Sequence, residues 1–376
     1  MSADVIIIGA GVVGAACAWY ATRAGLRVTV LDRGPVAGGT TGAGEGNLLV
    51  SDKPHGPELD LALHSVTLWR TLADEIGGFE HQGKGGLVVA DRETSLRALH
   101  RVARGQRAAG ADAVVVPADE LRTYEPHLTS DVAGGCFYRQ DAQVQPMLAA
   151  ARLLAAARAS GAEVRTGAEV TGLMRSGERV VGVRTGAGEL PAGAVVNAAG
   201  TWAGDVAALA EVRVPVSPRR GFILVTEPLP PTVRHKVYAA EYVDAVASDD
   251  AALHISPVVE GTESGTILIG SSRERVGMDR TLAVDVLRRL AAAAIRLFPM
   301  LAAVSAIRAY CGFRPYSPDH LPVIGPDPRA PGLLHACGHE GAGVGLAPAT
   351  GELIAAVLAD QAPAVDPAPF RPERFG

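Results

Sequence analysis

The chain has 376 residues, 48% of them hydrophobic and 20% charged, with forty acids against thirty-five bases and a net charge of −5. That length suits two domains with sizeable cores, and the composition excludes wholesale disorder. No single-sign charge block recommends a nucleic-acid partner, and no uncharged apolar run reaches the roughly eighteen residues of a membrane span. The four cysteines (Cys17, Cys136, Cys311, Cys337) contain no CxxC pair, so no zinc or iron–sulfur site is expected. They read as buried thiols of a reducing compartment. The apolar N-terminus runs straight into a glycine turn, so it reads as a strand and not a signal peptide, and a cytoplasmic protein is expected.

Asp4 to Ile8, then Gly9-Ala-Gly11-Val-Val13-Gly14, then an alanine-rich segment, then Arg27 to Asp32 and Arg33 read as strand, tight turn, helix and strand. Gly9 permits the sharp turn, Gly11 lets a pyrophosphate reach backbone N–H groups at the helix start, and Gly14 lets helix and sheet pack closely. Asp32, at the tip of the second strand, is placed to accept both hydroxyls of an adenosine ribose. The unit therefore binds an adenine dinucleotide, and the fingerprint alone leaves NAD and FAD open.

Residues 38–51, with Thr40, Thr41, Glu45, Gly46, Asn47 and Leu48, are too glycine-rich for a helix and form either a ligand-lining or a plain surface loop. Residues 57–76 have helical apolar spacing, and a strand follows at Gly86 to Ala90. Glu93 to Ala109 reads as a helix whose Arg97, Arg101 and Arg104 make either a solvated face or a dock for an acidic partner. A short strand at Val114 to Val116, a turn and helix to Tyr124, a strand within 134–144 and a helix from Pro146 to Gly161 come next. Strands are expected at 162–165, 169–175 and 180–185. Ala194 to Gly200 reads as another buried parallel strand ending in a turn that can meet a cofactor. From Val212 to Phe313 the pattern becomes antiparallel strands (221–226, 253–259, 266–271) with one helix over 282–298. Together with strands 86–90 and 134–138 they are expected to form a second domain. Leu333 to Cys337 is a last strand leading into Gly338-His339-Glu-Gly341-Ala342-Gly343-Val344 and a helix to about Asp360, where the helix start offers positive dipole to an anion.

Six stretches in this order and spacing resemble the D-amino-acid oxidase and glycine/sarcosine oxidase superfamily of FAD-dependent amine oxidoreductases, over nearly the whole chain. They are the GxGxxG unit with Asp32, Thr40-Thr41, Asp141 to Pro146, Asn197 to Trp202, Gly312-Phe-Arg314-Pro315 with Asp319 to Gly325, and Gly338 to Gly343. The resemblance implies an α/β plus α+β protein. A Rossmann-like, glutathione-reductase-like FAD domain (residues 1–52, 139–208 and 318–376) would be interleaved with an antiparallel-sheet substrate and interface domain (53–138 and 209–317). The cofactor would be FAD, with Val170 near the adenine, Ala199, Gly200 and Trp202 beside the dinucleotide, Thr40 to Leu48 along the flavin, and Gly338 to Val344 facing its pyrimidine edge.

By the same resemblance Arg314 clamps the substrate carboxylate; a structural ion pair with Asp319 is the alternative. Tyr238 and Tyr242 lie where relatives place a substrate-contacting tyrosine, and packing is the other reading for both. Monomeric sarcosine oxidases attach FAD through a cysteine at a position occupied here by Gly312, with Cys311 one residue away, so non-covalent FAD is expected. Glu45 departs from the family's small residue and either holds a substrate ammonium or secondary amine or points to solvent.

The implied reaction is oxidation of the C–N bond of an amino acid or N-substituted amino acid by hydride transfer to flavin N5. The glycine loop 39–47 and Cys337 to Gly343 look similar to those of hydroxyproline and opine dehydrogenase β-subunits and cyanide-forming glycine dehydrogenases. That implies a dehydrogenase subunit handing electrons to a second subunit; a free-standing oxidase using oxygen and an NAD-binding dehydrogenase are the alternatives.

Overall fold

A computed structural model describes residues 3–242 and 250–376. The first sheet is built on Ala3–Ile8, whose side chains alternate between two cores: Val5 and Ile7 face one, Ile6 and Ile8 the other, all nearly inaccessible. Burial on both faces is why this strand is a continuous apolar run. It pairs in parallel with Val28–Asp32 and with Gly188–Asn197. Glu163–Thr166 extends the sheet on one side, Leu333–Cys337 and then antiparallel Val323–Pro326 on the other. An antiparallel hairpin, Val170–Ser176 and Arg179–Thr185, is attached through Gly188–Asn197.

Helices Val12–Arg23, Pro146–Ala159 and Gly343–Leu358 cover one face. Pro57–Glu75 packs on the last of them, with Ser65 Oγ donating to the Gly345 carbonyl at 2.6 Å and Trp69 Nε1 to that of Val344 at 3.1 Å. This helix lies in the sequence segment expected for the substrate domain, yet its apolar face joins the core of the first sheet. Among the described residues one stretch, Glu340–Leu358, is long and apolar enough to cross a membrane by length and composition, and 67% of it is buried in the fold.

The second sheet has eight strands in the order Ala306–Tyr316, Ser217–Thr226, Ile267–Arg273, His254–Gly261, Lys236–Ala239, Gly86–Ala90, Gly134–Tyr138 and Ala113–Pro117. All neighbours are antiparallel except Lys236–Ala239 with Gly86–Ala90. Helix Val284–Leu297 covers it through Leu290, Ala294 and Leu297. Two of its strands escape the sequence pattern. Lys236–Ala239 is only four residues long and opens on a buried lysine that follows Arg234 and His235, and Ala306–Tyr316 is a half-exposed edge strand with an interior glycine and a late proline, where neither alternation nor continuous apolarity holds. Arg97, Arg101 and Arg104 are exposed on helix Glu93–Ala108 while Leu96, Leu99 and Ala103 are buried, so the arginine stripe lies on the outer face of the helix. Cys17, Cys136 and Cys337 are buried, whereas Cys311 is half-buried on the edge strand, which corrects the expectation for that thiol.

Residues 38–51 are not a featureless loop: Thr40–Ala43 forms a 3₁₀ turn and Asn47–Leu48 a short strand against Ala142–Gln143. The segment is held by the buried Asp141, whose carboxylate accepts from the Val50 N–H at 2.8 Å, the Ser51 N–H at 3.3 Å and the Ser51 hydroxyl. Burial pushes the Asp141 carboxyl up to about 7. A folded pKa above the unfolded value of about 4 favours folding below pH 4, and that advantage is lost as pH rises through 7. Replacing Asp141 by alanine strands these donors and is expected to cost about 3 kcal/mol. It should also flatten the decline in stability between pH 4 and 7, both read by urea unfolding of the flavin-loaded protein.

Candidate active site

A cleft of about 380 Å³ runs from the end of Val28–Asp32 across the start of helix Val12–Arg23 to the second sheet at Phe313 and Arg314. At its first end both oxygens of Asp32 are held by backbone: Oδ2 accepts from the Ala10 N–H and Oδ1 from the Gly34 N–H, each at 2.7 Å. The clamped carboxylate keeps acceptor capacity for further donors. Arg33 lies over the Trp202 ring at 4.3 Å from its centroid, and Val170 completes that end of the wall. These groups suit an adenosine: an acid for ribose hydroxyls and apolar and cationic surfaces for a base.

In the middle, Gly9, Gly11 and Val13 line the cleft with Thr40 and Thr41, and Ala199 and Gly200 close the opposite wall. Gly11 leaves the helix start open, because a Cβ there would stand 3.1 Å from Thr41 Oγ1. That hydroxyl accepts from the Val12 N–H at 3.1 Å. A side chain-free approach to N–H groups and a hydroxyl at a helix N-terminus fits a pyrophosphate. Thr40 and Thr201 hydroxyls both donate to the Phe313 carbonyl, at 2.7 and 3.1 Å, and so fix the edge strand of the second sheet to the first-sheet loops.

The far end is formed by Arg314, Tyr242, Glu45 and Asn47 with His339, Gly341, Gly343 and Val344. Arg314 Nη1 donates to the Ser272 carbonyl at 2.9 Å. Burial, and next the neighbouring Arg273, push the Arg314 guanidinium down to about 10. The alternative partner Asp319 is taken by Arg374 at 2.6 Å, so Arg314 belongs to the cleft. Glu45 is turned inward instead of to solvent: Oε2 accepts from Asn47 Nδ2 at 3.1 Å, and Oε1 is buried with no hydrogen-bond partner among the described residues. The two tyrosines separate. Tyr238, on a strand, is fully buried and donates to Ser51 Oγ at 2.6 Å, whereas Tyr242, beyond the strand end, lines the cleft beneath the Arg273 guanidinium.

Other expected residues serve the frame. Gly14 packs against the Gly9 carbonyl, Gly46 against that of Val144, and Leu48 is fully buried. Gly338 takes a φ of +73° in the turn before the last helix, and Ala342 lines a small adjoining cavity with Lys53 and Asp52. The His339 ring turns away to Thr350 Oγ1 at 2.9 Å, and burial pushes its pKa down to about 3, so it stays neutral. Glu340, Phe313 and Gly221 also line the cleft and escape the sequence reading. Glu340 stands inside a motif noted for its glycines, and nothing in its spacing marks it. Among the described residues no group of three or more metal-ligating side chains occurs.

Residues 4–357 match the family described as FAD dependent oxidoreductase (DAO). The chain is 32% identical to hydrogen cyanide synthase subunit HcnC of Pseudomonas aeruginosa, covering 99% of this chain and 96% of the relative. It is 30% identical to glycine oxidase of the same organism, covering 99% of each. The crystal structure of glycine oxidase from Geobacillus kaustophilus superposes with a TM-score of 0.89 at 27% identity, covering 98% of each chain. The match removes the NAD-binding alternative, and the groups along the cleft fit the dinucleotide that the match requires. The chain belongs to the DAO family of FAD-dependent oxidoreductases.

Proposed function

We propose that this chain oxidises the C–N bond of an amino acid or N-substituted amino acid, and that it works as the flavin subunit of a dehydrogenase. The observation that carries the reading is Arg314: a half-buried guanidinium, with a single bond to backbone among the described residues, lining the far end of a dinucleotide cleft together with a carboxylate, Glu45. When bound, FAD supplies the two-electron acceptor. Arg314 has the planar fork to take a substrate carboxylate in two parallel bonds and so fix the orientation of the Cα–H bond. Tyr242 walls the same end, and the N-terminus of helix Gly343–Leu358 directs positive dipole at it. Cys311 does not line the cleft, and its Sγ lies 3.8 Å from the Arg280 carbonyl, which supports non-covalent FAD.

Relatives include a hydrogen cyanide synthase subunit and glycine oxidases, and the glycine-loop similarities favour the subunit reading. The test mixes the yellow protein anaerobically with D- and L-amino acids, prolines, glycine, sarcosine and opines. Bleaching of the flavin absorption by at least one of them is expected, followed by turnover with an artificial dye and slow peroxide release in air. Rapid peroxide release excludes the obligate-partner reading, and no bleaching by any member of the panel sinks the amino-acid reading.

A further inference from the structure

Glu45 sits in a charged neighbourhood that substrate binding would rebalance. Its free Oε1 lies against Gly270, where an added Cβ would meet it at 2.2 Å, so the carboxylate fills space that the strand Ile267–Arg273 leaves open by a glycine. Four ionisable side chains from three packed strands face it: Lys236 and Glu260 from the adjacent strands Lys236–Ala239 and His254–Gly261, and Tyr310 and Arg314 from the edge strand Ala306–Tyr316. Asn47 from its own loop holds the other oxygen. Lys236 and Glu260 form a fully buried ion pair, so the lysine is committed to a carboxylate other than Glu45. Burial raises the Glu45 pKa and Glu260 raises it further, while Lys236 and Arg314 oppose them. A substrate carboxylate that pairs with Arg314 neutralises one of these two opposing cations. That pairing by itself raises the proton affinity of Glu45, the direction that favours moving the ammonium proton onto it.

We propose that Glu45 is the base that accepts the proton of the substrate ammonium at the far end of the cleft. The proposal rests on the amino-acid oxidation reading and adds the group that makes the substrate reactive. An ammonium nitrogen has no lone pair to form a C=N bond. In the step, one N–H bond breaks and an O–H bond forms on the Glu45 carboxylate; Glu45 becomes a carboxylic acid and the amine regains its lone pair. Only then can the nitrogen supply electrons to carbon as the C–H electron pair leaves for the acceptor. The arrangement selects a zwitterion: Arg314 takes the carboxylate and Glu45 the ammonium or secondary ammonium.

Wild-type protein is first assayed against the amino-acid panel, which tests the reaction class on its own. The best substrate is then used with Glu45→Gln and Glu45→Asp. E45Q is expected to lose about a hundredfold in kcat/KM at pH 7, the size typical of a removed general base. The loss should shrink as pH rises and more of the amine is neutral in solution. E45D, which keeps a carboxylate, should retain the wild-type acid limb. Acetate, which has no amine, should bind E45Q at least as tightly as wild type, because a neutral side chain replaces the negative charge that faces Arg314, read from the shift of the flavin absorption. E45Q with the wild-type rate and pH profile overturns the proposal, as does an E45D as slow and as pH-dependent as E45Q. Loss of flavin absorption or of acetate binding in E45Q also overturns it, because it assigns Glu45 to holding the site together.

Discussion

Replacing Arg314 by alanine is expected to raise the Michaelis constant for an amino acid about 10²- to 10³-fold, while the protein stays yellow. Truncating one member of a buried, hydrogen-bonded charge pair costs about 2–5 kcal/mol, and each 1.4 kcal/mol is a factor of ten. The effect falls on substrate and spares the cofactor because the adenosine and pyrophosphate ends of the cleft are built from Asp32, Gly11 and Thr41, on other elements. Arg314→Lys is expected to fall between the two, since an ammonium replaces the charge and loses the planar fork. The fold should survive: the side chain gives up one bond to the Ser272 carbonyl, and its removal relieves the repulsion from Arg273. Steady-state kinetics with flavin absorbance as the control checks this, and an unchanged Michaelis constant would falsify the clamp.

How much of this site can be read in the sequence depends on where each residue's signal lies. The opening unit is legible because a doubly buried strand, a glycine turn and an acid at the next strand tip each leave a local trace, and the strands end where those traces end. Arg314 is different. Its own neighbourhood offers Asp319 as a partner, and only the chain's resemblance to a family separates the two readings until the fold shows Asp319 held by Arg374. Tyr238 and Tyr242 are indistinguishable in sequence, since what parts them is the end of a strand at Ala239: one side chain stays in the core and the other reaches the cleft. Lys236 and Glu260 carry no signal at all. Each is a single charge at or next to the end of a strand, and their meaning lies in the pairing that sets those strands side by side.

Two glycines of the same fingerprint should fail in different ways when replaced by valine. Gly14 stands where a Cβ would lie 2.0 Å from the Gly9 carbonyl oxygen, and both groups belong to backbone held by the sheet and the helix. No side-chain rotation relieves that contact, so the helix Val12–Arg23 must leave the sheet. The helix contributes Ala15, Ala16 and Ala18 to the main core, so Gly14→Val is expected to give little or no folded protein. At Gly11 the nearest atom is the Thr41 hydroxyl at 3.1 Å, the end of a side chain that can turn, and the backbone there is extended, with φ −75° and ψ 178°. A valine fits that conformation and reaches into the cleft, over the N–H groups at the helix start. Gly11→Val is therefore expected to fold and to emerge colourless, with far-ultraviolet circular dichroism like the wild type and no flavin absorption, even after incubation with excess FAD. The two variants separate the geometric use of glycine from its use as an opening for a phosphate. A yellow Gly11→Val protein would place the pyrophosphate away from this helix and remove the basis for reading the cleft from its first end.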